Sequence, residues 1–246
     1  MQLGVFSVVP AKWFGRSLVC VYLRIIPQNF GNYPPAWMAD QPPSCLKDAR
    51  GLGETQYRVP SKVDYFEPIS GVESNLVYNS FLIGRPMLAM RIKDALRAVD
   101  VLSRRTDVNP SKIFVLGEGA GGVMAEFVAA LDRRVTGIAV AGTLLDYRQI
   151  IDTGNYAIHV DLFLPQILRY FDLPELAAEI APRPFLLLDS QDALKRALSL
   201  ESVKQEMRMG LRTYQLLGAS SQLSMQTTPD RNTRLEVILQ WLNRLR

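Results

Sequence analysis

Two rhythms of apolar residues alternate along the chain. Leu18–Ile26 is an almost unbroken apolar, β-branched run and predicts a strand. Between Pro86 and Arg104 the period changes. Ile92, Leu96, Val99 and Leu102 recur at steps of four, three and three, while Arg91, Lys93, Asp94, Arg97 and Asp100 are expected to face solvent. That is the signature of an amphipathic helix. "DVNPSK" breaks it, Ile113–Leu116 predicts a short buried strand, Ala120–Leu131 a helix and Val135–Ala141 a further strand. Gly142–Leu173 reads as irregular and partly helical, and Leu176–Ile180 as a helical turn closed by Pro182 and Pro184. Beyond it the pattern predicts a strand over Phe185–Asp189, a helix over Ala193–Met209 and a strand over Leu211–Leu217. A last helix spans Asn232–Arg246, with Leu235, Ile238, Leu242 and Leu245 on one face. Strands alternating with helices imply a mostly parallel sheet covered on both faces. Chemistry in such sheets gathers at the carboxyl ends of the strands.

Composition narrows the function classes. The chain has 246 residues, 48% hydrophobic and 21% charged, which suits one globular α/β domain. The net charge of +4 is spread along the sequence, so the basic residues read as solvated helix faces rather than a nucleic-acid surface. No apolar run reaches the roughly 18 residues of a membrane span; Ser17–Ile26 is short and contains Arg24. The N-terminus has no basic stretch before its apolar part, so no signal peptide is expected and the cytoplasm is the default compartment. Cys20, Cys45 and the single histidine, His159, are too few for a disulfide scaffold or a zinc site. No metal and no cofactor is expected. The Pro-rich stretch 27–44 predicts a long loop, and "LKDARGLGETQY" a strand end running into a glycine turn.

"FVLGEGAGG", Phe114–Gly122, carries the candidate chemistry and admits two readings. Gly117, Gly119 and Gly122 satisfy G-x-G-x-x-G between a strand and a helix, a dinucleotide cradle. That mechanism also needs an acid about 20 residues on, at the end of the next strand. Residues 139–142 are Ala, Val, Ala and Gly, and Asp146 lies beyond the strand. The second reading is G-x-S-x-G, the nucleophile elbow, with Gly117 and Gly121 as the small flanking residues and Glu118 in the middle. Gly119 then stands where the serine belongs, and the Ala120 amide would face an oxyanion. A glycine can form no acyl-enzyme.

"DARGLGET" (Asp48–Thr55), the stretch Leu82–Gly122 including "VNPSKIFVLGEGAGG", and Tyr170–Leu194 including "IAPRPFLLL" resemble α/β-hydrolases of the acetyl xylan esterase and dienelactone hydrolase kind. The likeness runs from about Asp48 to the C-terminus. It implies the α/β-hydrolase fold over residues 1–246 as a single domain, with 1–44 atypical or truncated and the first strands of the fold abbreviated. About six strands are expected where the fold has eight. The resemblance also implies a Ser, Asp, His order. Asp192, after the "APRP" strand, matches the acid; Asp189 is the second choice, and a helix N-cap before Ala193 is an alternative role for Asp192. The histidine is expected after the last strand, within Leu217–Gln226, where the chain has none; Ser220 or Ser221 occupies its approximate place. His159 lies in the segment expected to roof the site, either as a substrate contact or base, or as a hydrogen-bonded structural residue.

Two of the three triad positions therefore hold groups that cannot do the chemistry. The expectation is a carbohydrate-esterase-like hydrolase, acting on a small acyl ester by resemblance, with hydrolysis impaired. The rivals are a non-catalytic binder of a small ester or acid, a nucleotide-dependent enzyme using residues 117–122, and a hydrolase that activates water with Glu118 or Asp192.

Overall fold

The computed structural model describes the strand backbones at residues 7–9, 19–24 and 44–47, residue 50, and residues 71–106 and 108–245. The expected loop 27–44 apart from Ser44, the glycine turn after residue 50 and the cysteine side chains lie outside the described residues. Among the described residues seven strands form one sheet: β1 (Ser7–Val9), β2 (Val19–Arg24), β3 (Ser44–Lys47), β4 (Ile113–Glu118), β5 (Val135–Ala141), β6 (Phe185–Leu188) and β7 (Leu223–Gln226). Their order is β1-β3-β2-β4-β5-β6-β7; β1 runs antiparallel to β3 and every other pair is parallel. This is the α/β-hydrolase fold, and β4, the strand before the glycine motif, is central.

Helices cover both faces. On one side lie α1 (Val72–Leu82), α2 (Met87–Ser103), α3 (Ala120–Leu131) and α5 (Leu173–Ile180), the last three contributing to a core with Ile113, Val115, Ile138, Val140, Phe185 and Leu187 of the sheet. On the other side α8 (Arg231–Arg244) buries Ile238, Trp241 and Leu242 against Phe114, Leu116, Ala139 and Leu186. Trp241 meets Phe114 edge to face, with ring centroids 5.9 Å apart. The alternation follows from the strands: odd and even positions of β4 and β5 feed opposite faces. Among the described residues no helix is long and apolar enough to cross a membrane.

Three expectations are corrected. The segment after Gln191 does not enter a helix at once. A helix, α4 (Arg148–Thr153), follows β5, whereas after β6 Asp192 accepts the amides of Leu194 and Arg196, which folds 192–196 into a tight turn, and α6 (Leu200–Glu206) begins only later, with Ser199 as its cap. Asp192 is thus a turn organiser and not a helix N-cap. The expected strand Leu211–Leu217 is helix α7 (Arg208–Leu216). Its short stretch fits either period, and tertiary packing decides. Gly210 and Tyr214, four apart, are buried, and the Tyr214 hydroxyl donates to the Arg183 carbonyl at 2.6 Å. The true last strand is β7, four residues inside the stretch expected to be a loop.

The third correction concerns α2. Arg91, expected in solvent, is completely buried. It lies between Met87 and Ala95 on the buried stripe, and its guanidinium pairs with Glu73 of α1 and Asp161 of the 3₁₀ turn Val160–Leu162. Its Nε also donates to the Arg50 carbonyl at 3.1 Å, while the Arg50 side chain pairs with Asp94. A stripe read by hydrophobicity cannot reveal a charge whose partners are 18 and 70 residues away. Removing one member of such a cluster leaves the others charged in a dry interior. Arg91→Met should therefore destabilise the protein by about 3–5 kcal/mol, measured by urea unfolding. A loss within about 0.5 kcal/mol, the usual range for surface changes, would show that these charges are not buried together.

Candidate active site

The site is built at the turn from β4 into α3. Gly119 has φ 57° and ψ −122°, a conformation that L side chains rarely adopt. Its amide donates to the Ala141 carbonyl at the end of β5, and its own carbonyl accepts from the Gly122 amide. Gly117 explains the sharpness. A Cβ there would overlap the Gly121 carbonyl and stand 2.6 Å from the Gly122 Cα, so strand and helix touch through backbone alone. At Gly119, in contrast, a Cβ would find its nearest neighbour, the Gly142 carbonyl, at 4.0 Å. The backbone is bent for a residue presented above the sheet, and the space for a side chain is open. Ala120 is the first residue of α3, whose opening amides have no partner inside the helix.

The same turn bears on the phosphate-cradle reading. A cradle needs its amides turned outward. Here the Gly119 and Gly122 amides already donate within the protein, to Ala141 and Gly119.

Register locates the other expected residues. Glu118, Ala141, Leu188 and Gln226 end β4, β5, β6 and β7 in one row. Gly119, Gly142, Asp189 and the residues after Gln226 therefore lie along the carboxyl edge. Ser220 and Ser221 do not. They form an exposed 3₁₀ turn before β7, at the amino edge, because the segment expected to be a strand is α7. The loop that follows the last strand is Thr227–Pro229.

The two candidate acids behave differently. Asp192 directs its carboxylate into its own turn. Oδ1 accepts from the Leu194 and Arg196 amides at 2.9 and 2.8 Å, and Oδ2 pairs with Arg196 Nε at 2.6 Å. Partial burial disfavours its charge, but the Arg196 contacts and the Leu194 amide together hold the carboxyl below the ordinary aspartate range. Asp189 sits at the end of β6 with φ 50° and reaches across the edge. It accepts the Thr228 amide at 2.5 Å, the Thr228 hydroxyl at 2.7 Å and Arg234 Nε at 2.7 Å. Arg234 also meets Glu118 at 3.2 Å. The carboxylate in contact with the loop after the last strand is thus Asp189, and the residue it holds there is Thr228. Composition gives no signal for Thr228; its position emerges only with β7. Beneath this group, α8 and the sheet edge enclose a shallow cleft lined by Leu116, Gly117, Ala141, Arg231, Leu235 and Ile238.

His159 joins the buried charge cluster. Its Nδ1 lies 3.0 Å from Asp161 Oδ1, and it caps the turn Val160–Leu162. Glu73, His159 and Asp161 bring one ligand-type atom each within 4.8 Å of the others. Arg91 already spans the two carboxylates, so the cation of this cluster is a guanidinium and the donor set does not suit a metal ion. Burial raises the Glu73 carboxyl above its ordinary range against the opposing pull of Arg91.

Comparison with known proteins places this geometry. No protein-family model matches the chain. It is 33% identical over 137 residues to a Bacillus subtilis protein described as a hydrolase, YtaP, covering 55% of this chain. The chain spans about half the length of that relative, 46%. Among solved structures it superposes on a Bacteroides fragilis protein described as an acetyl xylan esterase, with a TM-score of 0.70 and 13% identity over 91% of this chain and 62% of that one. It superposes likewise on a glucuronoyl esterase from Caldicellulosiruptor kristjansonii, with a TM-score of 0.62 and 14% identity over 97% of this chain and 71% of that one. These structures share the α/β-hydrolase fold with the chain.

Two variants separate the roles of the elbow glycines. Gly117→Ala forces a methyl into backbone and should cost about 3 kcal/mol or more in urea unfolding. Gly119→Ala meets no atom and should cost only the strain of its positive φ, about 1–2 kcal/mol. Equal costs would contradict the elbow geometry.

The loop beside the elbow supplies a pH test. Asp146 is 3% exposed, and burial, reinforced by the charges of Asp172 and Glu206, raises its pKa to about 6 against the Gln149 hydrogen bonds. Its folded value lies above its unfolded one, so its contribution is fully present below pH 4 and is lost as pH rises through 6. Asp146→Asn keeps the acceptor for the Gln149 amide, and should gain about 2–3 kcal/mol over the native protein at pH 8 but almost nothing at pH 4.

Proposed function

We propose that the protein is a carbohydrate-esterase-like α/β-hydrolase whose ancestral reaction is hydrolysis of a small acyl ester, and that this reaction is lost or strongly reduced. The observation that carries the reading is Gly119: an elbow backbone with open side-chain space and no nucleophile. The loop after the last strand holds Thr228 against Asp189 in place of an imidazole, and a threonine hydroxyl is no base near neutral pH. What is left, the Ala120 amide and a binding surface, could support only residual rates, about 10³–10⁴ over water in enzymes stripped of their triad. Any ligand would be a small ester or acid.

A second reading, a non-catalytic binder of such a ligand, is favoured by the space at residue 119, where nothing lies nearer than 4.0 Å to a Cβ. The two are separated by p-nitrophenyl acetate turnover and fluorophosphonate labelling. The native protein should show background turnover and no labelled serine. The Gly119→Ser, Thr228→His double variant should gain about 10²-fold or more, the usual worth of a positioned base. Gly119→Ser, Ser220→His should gain nothing comparable, since residue 220 is at the far edge of the sheet. Stoichiometric labelling of a native serine would overturn the impaired-triad reading and reveal a relocated nucleophile.

A further inference from the structure

Among the described residues the sheet ends at β7, and the outer edge of that strand is open. The Asp189 amide donates to the Gln226 carbonyl at 3.0 Å, so Gln226 and, two residues earlier, Ser224 turn their backbone groups toward β6. Leu223 and Met225 then turn theirs outward. None of the described residues donates to or accepts from the amide or carbonyl of Met225 or the carbonyl of Leu223. Sheets usually blunt such an edge with lysine, a bulge or a proline inside the strand. β7 has none of these: its register with β6 is unbroken, and no charged residue occurs between Arg212 and Asp230. Shortness is its one protection. The strand is also held still, because Asp189 grips Thr228 just beyond its end.

The approach to β7 is apolar. Helix α7 ends at Leu216, with Leu217 as its cap; these two are 74% and 54% exposed, and Met209, two turns before Leu216 on the same helix face, is 53% exposed. We propose that β7 pairs antiparallel with the β7 of a second copy about a two-fold axis at Ser224, continuing the sheet across a homodimer. In that register Met225 of each copy faces Leu223 of the other, and the two exchange their backbone bonds, so the outward groups of both strands are used. A second copy is the occupant because the edge is its own complement. It carries no charge to select a foreign partner, and a two-fold pair sets identical donors and acceptors against each other. So short a ladder does not hold a dimer by itself. The apolar approach supplies the rest. Antiparallel pairing sets the amino end of one β7 beside the carboxyl end of the other, so Leu216 and Leu217 of one copy approach Thr227–Pro229 of the second, the loop that carries Thr228. The pairing thus reaches the carboxyl edge, but it does not depend on whether the elbow hydrolyses anything.

Sedimentation velocity over a concentration series should show a monomer–dimer equilibrium in the native protein. Met225→Pro removes an outward amide that the monomer does not use, at an edge position where proline is tolerated, and should weaken the dimer by about tenfold or more with the circular dichroism spectrum unchanged. Ser224→Lys sets two like charges opposite each other across the axis and should also give monomer; it serves as the second variant if the proline disturbs the strand. Cysteine cross-linking reads the register. Opposed residues of a pair that exchanges no backbone bonds lie about 4.5 Å apart between Cα atoms, within disulfide reach. Under mild oxidation Ser224→Cys should therefore run as a covalent dimer on a non-reducing gel, while Ser220→Cys and the native protein should not. A monomer at every concentration, a dimer that survives both Met225→Pro and Ser224→Lys, or equal cross-linking at residues 220 and 224 overturns the proposal.

Discussion

β4 and α3 meet at Gly117 with no room for a side chain, because a Cβ there would run into the backbone of Gly121 and Gly122. That contact brings the helix back over the strand within one turn, which obliges the connecting residue to take a left-handed φ. Gly119 does so without the strain a serine would carry. The β5 loop closes on the turn through the bond from the Gly119 amide to the Ala141 carbonyl. The elbow is thus enforced by packing between two buried elements. Its shape owes nothing to the side chain at residue 119.

Charge is handled differently at two places on the same face of the sheet. On the α1–α2 side three segments far apart in sequence are joined by one buried guanidinium, with Glu73 and Asp161 as its partners. Such a cluster is a poor source of net stability but a strict constraint, since any other arrangement leaves an unpaired charge inside. Near α3 and α5, Asp146 and Asp172 take their hydrogen bonds from backbone amides and the Gln149 side chain. Burial raises the carboxyls of Asp146 and Glu126 above their ordinary ranges, as it does that of Glu73 beside Arg91.

The parts of the fold written in local pattern were legible in the sequence. β2, β4, β5, β6, α2, α3 and α8 follow from runs and periods of apolar residues, and the elbow from its glycine spacing. What failed was decided by distant partners. Arg91 reads as a solvent residue until Glu73 and Asp161 are brought to it. Residues 211–217 read as a strand until Tyr214 is seen to lodge against Arg183. With that segment helical, the sheet ends at Gln226 and not at Leu217, so Ser220 lies at the amino edge and the loop after the last strand is Thr227–Pro229. Asp192 matches the motif, and its turn shows how an aspartate in that place can be fully occupied within five residues.

The carboxyl edge shows how the elbow keeps its surroundings in place with glycine at residue 119. Asp189 holds Thr228 and Arg234, and Arg234 holds Glu118, so the ends of β4 and β6, the loop after β7 and the start of α8 are tied by one chain of hydrogen bonds. A histidine in the loop after β7 would have to be mobile enough to exchange protons with a substrate. Thr228 has no such demand and donates both its amide and its hydroxyl to a single carboxylate. With glycine at 119 and threonine at 228, strain at the turn falls and the ties across the edge are complete. Both residues favour the resting fold.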